Sequence, residues 1–295
     1  MSAQGPAANG SKPLLVVVDP AARRADGESV RIARDVLCAR SPGPVKVCLP
    51  DGPEEFARAL RRRGARRPVV VGDDRALLRA VSLLHREREL SSSVLSVVPV
   101  GAPTRLAQGL GVPGGAVAAA SAVLDGQARQ LDLLVDDSDG VVLGDLHIPV
   151  LSAGAAGRDP WWAPGLRTCQ SLVRTLVRTA PGPPAAAGPP DPAPPAAGPS
   201  GGPARLRVEA DGVTLIDLDQ PVEDVSVAAS HDGRAEVEIR RTALGAASPP
   251  LRASAHTITV SGPSFHYRAD ALTAGPVRTR TWSVRAGAWT LTLPG

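Results

Sequence analysis

The sequence predicts an α/β fold with a doubly wound parallel sheet, followed by an antiparallel β layer. In the first half, short β-branched runs alternate with amphipathic helical stretches, a pattern that requires right-handed crossovers between parallel strands. In the second half the apolar period falls to two between Asp-Gly turn signals, as in hairpins. A stretch dominated by proline, alanine and glycine, residues 181–203, interrupts that second half early.

Residues 14–18 are an unbroken apolar run closed by Asp19-Pro20, so a buried strand entering a loop is expected there. Val30, Ala33, Val36 and Leu37 then recur at helical spacing. Residues 45–49 are a second strand, and residues 54–63 a helix with Phe56 and Leu60 on one face. The third strand, residues 69–71, leads into a helix marked by Leu77, Val81 and Leu84, and residues 94–98 are the fourth strand. Short helices are expected over 104–110 and 116–124, the latter stopped by Asp125-Gly126.

After Leu131-Asp132-Leu133-Leu134 the pattern changes. Residues 141–143 and 147–150 read as short strands, and Leu172, Leu176 and Val177 give residues 166–178 a helical apolar face. Residues 181–203 bury too little apolar surface to offset their ordering entropy, so a disordered loop is expected. Beyond it, Leu206, Val208 and Ala210, then Ala235, Val237 and Ile239, then Ile258 and Val260 alternate with polar residues, with turns at Asp211-Gly212 and Asp232-Gly233.

Composition narrows the function classes. Hydrophobic residues make up 43% of the 295-residue chain but aromatics only 2%, so its cores must be filled by valine, leucine and alanine. The three cysteines, Cys38, Cys48 and Cys169, have no Cys-x-x-Cys spacing, which argues against a disulfide framework or zinc site and for a reducing compartment. The five histidines show no metal-ligand spacing, and Asp136, Asp137 and Asp139 beside Gly140 read as a polar turn; no metal site is expected. Residues 1–12 are small and polar, with no signal core, and no run is long enough to span a bilayer, so a cytoplasmic protein is expected. Net charge is +4. The basic run at residues 61–67 reads as a solvated helix end complementing the helix dipole, and with no nucleic-acid motif beside it, nucleic acid is not expected as a partner. Trp161-Trp162 is read as packing against the β layer or a partner, the other reading being contact with a membrane interface.

Two glycine turns stand out. Val69-Val70-Val71-Gly72-Asp73-Asp74-Arg75-Ala76-Leu77 and Val97-Val98-Pro99-Val100-Gly101-Ala102-Pro103-Thr104-Arg105-Leu106 each run from strand through turn to helix. Both turns then face the carboxyl edge of the predicted sheet, where phosphates bind on backbone amides. The first resembles the Gly-Gly-Asp-Gly-Thr-Leu turn of the diacylglycerol kinase catalytic-domain family, which includes sphingosine, ceramide and bacterial lipid kinases. Residues 99–113 match without a gap that family's Pro-Leu-Gly-Thr-Gly-Asn-Asp-Phe-Ala-Arg-x-Leu-Gly-Ile-Pro passage. Residues 119–132 are similar to its passage out of the nucleotide domain. Ser264-Phe265-His266-Tyr267-Arg268-Ala269-Asp270-Ala271-Leu272 is similar to its closing Asp-Gly-Glu segment, and residues 284–294 look like its last strand.

The resemblance implies a phosphofructokinase-like nucleotide domain over residues 13–132 with a returning segment at about 275–295. It also implies an antiparallel β-sandwich domain on the lipid side over residues 133–274. The implied activity is transfer of a phosphoryl group from ATP, with magnesium, to a lipid hydroxyl, by a cytoplasmic protein that touches the membrane at most peripherally. It places Gly72, Asp74, Arg75, Gly101, Thr104 and Asp19 at the nucleotide, and Asp74 and Asp270 at the chemistry. Other readings of these residues stay open: Asp74 as an N-cap for a helix starting at Arg75, Gly72 and Gly101 as tight-turn residues, Asp270 as a turn or surface carboxylate, Arg75 and Arg105 as solvated helix-start residues.

This chain departs from the pattern at the positions that carry the chemistry. Asp73, Arg75 and Pro103 stand where the family has glycine, Ala76 and Ala102 where it has threonine, and Arg105 where it has an acid. Leu272 occupies the place of its general base, and loss of such a base lowers rates by roughly 10²–10⁴. The expectation is therefore a lipid-kinase-family protein of weak or no activity that binds nucleotide, lipid or a partner. The alternative is a divergent active kinase that holds phosphate with Arg75 and Arg105; a scaffold unrelated to nucleotide is more distant.

Overall fold

The structure, a computed structural model, describes residues 12–148, 204–230, 232–242 and 249–295. The expected helix at 166–178, the Trp161-Trp162 pair, the proline-rich stretch and all but the last residue of the 1–12 segment lie outside the described residues.

The β-branched runs form the buried centre of a parallel sheet. Every residue of β1 (Leu14–Val18) and of β3 (Arg67–Gly72) is buried, as expected of strands covered on both faces. β1 pairs in parallel with β2 (Val45–Cys48) and with β3, and β3 pairs in parallel with β4 (Val94–Pro99). Helices α1 (Pro20–Ala25), α2 (Gly27–Arg40), α3 (Pro53–Arg61) and α4 (Asp74–Arg86) connect these strands, and α5 (Arg105–Gly109) and α6 (Ala116–Asp125) follow β4. On α4, Leu77, Val81 and Leu84 are buried, as their spacing predicts.

Two expectations fail here for physical reasons. The chain does not enter a loop after β1, because Asp19 caps α1: its carboxylate accepts the Ala21 amide at 2.8 Å, and Pro20 stands at a first helical position that needs no donor. The basic run is only partly solvated. Arg61 pairs with Glu87 at 2.9 Å, but Arg63 is buried, donating to the Leu60 carbonyl and the Ser93 hydroxyl and pairing with Glu89. Arg67 is buried at the head of β3 and donates to the Val123 carbonyl at 2.6 Å; burial holds its pKa below the ordinary arginine value.

The second half is antiparallel. β5 (Gln127–Asp136) pairs with β6 (Val141–Val142) and with β15 (Leu272–Leu293). β11 (Pro221–Ala229) pairs with β7 (Asp145–Ile148), β8 (Ala204–Arg205) and β12 (Ala235–Arg241), and β12 with β13 (Leu251–Ala255). β14 (Thr257–Ala269) pairs with β7, β15 and β9 (Arg207–Ala210), and β9 forms a hairpin with β10 (Val213–Ile216). The long strand β15 belongs to both halves: near its end, Thr290 and Leu291 pair in parallel with β4. The result is one mixed sheet whose main path runs β13-β12-β11-β7-β14-β15-β4-β3-β1-β2.

Two apolar clusters pack on this sheet. One gathers β1, β3, β4 and the helices around Phe56, Leu77, Leu95 and Trp289; the other gathers Ile148, Val225, Ile239, Ile258 and Trp282. In the second, Tyr267 meets Trp282 edge to face with ring centroids 5.1 Å apart, worth about 1 kcal/mol beyond the area buried. Asp136 organises the β5–β6 turn by accepting the Ser138 and Gly140 amides at 2.8 and 2.7 Å. Among the described residues no helix is long and apolar enough to cross a membrane.

Candidate functional site

The loops after β1, β3 and β4 meet at the carboxyl edge of the parallel strands, where the sequence places its two glycine turns. They are joined by backbone hydrogen bonds: the Asp19 amide donates to Val71 at 2.8 Å, the Val100 amide to Gly72 at 3.0 Å, and the Asp74 amide to Pro103 at 2.9 Å. Gly72 is required by packing. A Cβ there would stand 2.6 Å from the Ala76 Cβ and 3.0 Å from the Asp19 Cβ. Gly101 is required by backbone conformation, with φ of +93°, where a side chain is strained.

Each of the three helices that start at this edge has its N-terminal amides occupied by an aspartate of the chain. Asp19 caps α1 and also pairs with the Arg79 guanidinium, whose face lies 5.4 Å from the Phe56 ring centroid. Asp73 caps α4 by accepting the Ala76 amide at 3.0 Å. Burial pushes the Asp73 carboxyl above its ordinary range, with the Asp19 charge acting in the same sense and the Ala76 amide against it. Asp74 is 2% exposed and reaches across to α5, one oxygen accepting the Leu106 amide at 3.0 Å and the other the Ala107 amide at 3.1 Å. The expectation that Asp74 caps a helix beginning at Arg75 is thus corrected: α4 begins at Asp74, Asp73 is its cap, and Asp74 clamps the other turn. The Thr104 hydroxyl faces its own helix, accepting from the Gln108 side chain at 3.2 Å.

Beside these turns lies a cleft of about 690 Å³. Arg75 and Arg105 line it from the turn side, Arg268 and Asp270 from the end of β14, and Gly144 and Asp145 from the start of β7. Leu106, Leu110, Leu131 and Leu143 give it an apolar wall. Asp270 sits in the β14–β15 turn at φ of +51°, as its turn reading expects, but it is no surface carboxylate. One oxygen accepts the Leu143 amide at 2.9 Å and the other the Gly144 amide at 2.7 Å. Burial nevertheless dominates these charge-stabilising bonds and pushes its pKa up to about 7, the nearby Asp145 adding to the rise. Ala271 lines the cleft, whereas Leu272 packs against the first apolar cluster.

The structure thus brings Asp74, Arg75, Arg105 and Asp270 to one cleft and leaves Asp19, Gly72 and Gly101 in the loop junction behind it. Sequence reasoning missed Arg268, Asp132 and Asp145 on the cleft wall and Asp73 as a cap. Asp132 accepts the Gly233 amide at 2.8 Å and the Gly287 amide at 2.7 Å, contacts 101 and 155 residues away in the chain that no local signal announces. Among the described residues no group of three or more His, Cys, Asp or Glu side chains is arranged to hold a metal ion.

No protein-family model matches the sequence, and no curated protein matches it. Solved structures do match by fold. One, a protein of Bacillus anthracis str. Sterne described as a diacylglycerol kinase, has a TM-score of 0.61 at 13% identity, covering 96% of each chain. Two more from that organism, provisionally described as diacylglycerol kinases, have TM-scores of 0.65 and 0.66 at 14% and 13% identity, over 96% of this chain and 97% of theirs. Over nearly its whole length, the chain has a diacylglycerol-kinase-like fold.

Proposed function

We propose that this chain is a lipid-kinase-family protein whose phosphoryl-transfer activity is weak or lost and whose cleft is kept for binding. The observation that carries this is the capping of all three helix N-termini at the sheet edge by Asp19, Asp73 and Asp74. A nucleotide's phosphates would need those amides and would meet negative charge on each. Both oxygens of Asp74, the residue the resemblance assigns to nucleotide and magnesium, already accept amides. The residues present therefore do not fit ATP with magnesium in the expected seat, and Leu272 in the apolar cluster offers no base. Binding to a lipid surface would be peripheral.

One observation favours a divergent active kinase instead. Asp270 lines the cleft and burial pushes its pKa up to about 7, which suits a general base at neutral pH, although each of its oxygens already accepts one amide, that of Leu143 or Gly144. Incubating the full chain with labelled ATP, magnesium and mixed diacylglycerol, sphingosine and ceramide separates the two. The expected result is no labelled lipid above background. Labelled lipid that disappears in Asp270→Asn would establish the active reading and overturn the proposal.

A further inference from the structure

The basic run at residues 61–67 contributes nothing to the cleft, but Arg62 lines a second groove, of about 320 Å³, that shares no residue with the first. Lys46 and Arg58 line it too, and all three cations are exposed with no side-chain hydrogen bond or ion pair among the described residues. Glu55, the groove's carboxylate, is engaged by the Asp51 amide at 3.0 Å. Leu15, Pro50 and Leu49, the last 50% exposed, supply apolar surface. The groove lies between α3 and β2, and β2 ends the main path of the sheet, laddered among the described residues only with β1. The Leu14 amide donates to the Pro44 carbonyl at 3.0 Å, which fixes the phase of that ladder. Lys46 therefore turns its main chain toward β1, and Val45 and Val47 turn N–H and C=O away from the sheet.

We propose that this edge binds an extended acidic peptide as an added strand, its main chain paired with Val45 and Val47 and its carboxylates beside Lys46, Arg58 and Arg62. Edge pairing supplies affinity through main-chain bonds and specificity through alternate side chains. Outward donors and acceptors recur together every second residue, about 6.6 Å apart, a repeat that a polypeptide matches and a phosphate polymer does not. Every second side chain of the added strand falls on the face of Lys46, where three cations select acids. The same charges disfavour a second copy as the occupant. An antiparallel pairing of β2 with its copy, about a two-fold axis through the sheet, would set both basic groups on one face. Pro44 and Pro50 flank β2 and confine the added strand to about its length, so the contact is short and reversible.

The test is fluorescence anisotropy of a labelled seven-residue peptide alternating glutamate and valine, titrated with the full chain. Its lysine-valine counterpart, the same acidic peptide N-methylated at every amide, and labelled heptathymidylate are titrated in parallel. The expected result is saturable binding of the acidic peptide that weakens as salt is raised, with each of the other three bound at least about tenfold more weakly. Replacing both arginines, Arg58→Gln with Arg62→Gln, should lower the affinity about tenfold. Val47→Pro, which removes an outward N–H from an edge strand, should lower it as well. The two arginines are exposed, so their substitution decides the matter even if Val47→Pro fails to fold. Arg278→Gln, an exposed residue of β15 outside the groove, should leave the affinity unchanged. Absence of binding, or equal loss in Arg278→Gln, overturns the proposal. So does equal binding of the N-methylated peptide or of heptathymidylate, which would make the groove a site for any polyanion. Self-association in sedimentation velocity that Val47→Pro abolishes would make a second copy the occupant and overturn it too.

Discussion

Asp74→Ala tests whether Asp74 is a clamp between the two glycine turns. The substitution deprives the Leu106 and Ala107 amides of acceptors that stand 3.0 and 3.1 Å away. The Ala107 amide is buried and the Leu106 amide partly so, and an unsatisfied buried donor costs about 1–3 kcal/mol. Removing a charge that was itself buried returns part of this, so we expect a net loss of about 3 kcal/mol. For an ordered body of this size that lowers Tm by roughly 6–12 °C. Asp74→Asn keeps one acceptor oxygen and should lose about half as much. Thr104→Ala, whose hydroxyl takes only the Gln108 side chain, should stay within about 0.5 kcal/mol. Chemical and thermal denaturation of the three variants gives the answer. If Asp74→Ala is as stable as the wild-type chain, the carboxylate is not holding the turns together, and the argument that its oxygens are committed fails with it.

Asp270 makes stability depend on pH with a definite sign. Its folded pKa of about 7 lies above the usual 3.8, so between those values the folded state holds the extra proton. The contribution is present in full below about pH 4 and is lost as pH rises through 7. Asp270→Asn should flatten that part of a denaturation series run from pH 4 to 8. Gly101→Ala, at φ of +93°, should cost about 1–2 kcal/mol by denaturant unfolding. Gly72→Ala should cost about 1–3 kcal/mol through overpacking against Ala76, measured the same way. Leu272→Glu, which reinstates the carboxylate of the family pattern, should lose about 1–2 kcal/mol of packing and gain no phosphoryl transfer in the labelled-lipid assay.

Local patterns made the first half readable. β-branched runs such as residues 14–18 and 69–71 have no helical competitor, and the spacing of Leu77, Val81 and Leu84 fixes a buried face. Single-residue matters were harder. In Gly72-Asp73-Asp74 either aspartate suits an N-cap, and only the backbone of the turn decides that Asp73 takes it. The α1 helix carried a readable signal, Asp19 as cap followed by Pro20, which the turn-like Asp-Pro pair concealed. β15 was legible only at its end, because Gly275-Pro276 and Gly287 look like breaks; they fall where its pairing shifts register, and the cross-strand pairs on either side carry one 22-residue strand through them. Of the cleft, Arg75, Arg105, Asp74 and Asp270 could be found because they sit in motif positions. Arg268 could not be placed there: β14 alternates its side chains about a register, Arg268 opposite His147, that long-range pairing sets.

The central claim is that the chain's own carboxylates have taken the phosphate seats at the sheet edge. Calorimetric titration of the full-length protein with ATP and magnesium at neutral pH tests it most directly. The account predicts no saturable heat up to millimolar nucleotide. Saturable binding that is weakened by Gly101→Ala and left intact by Arg105→Gln would place the nucleotide on the glycine-turn amides and contradict it.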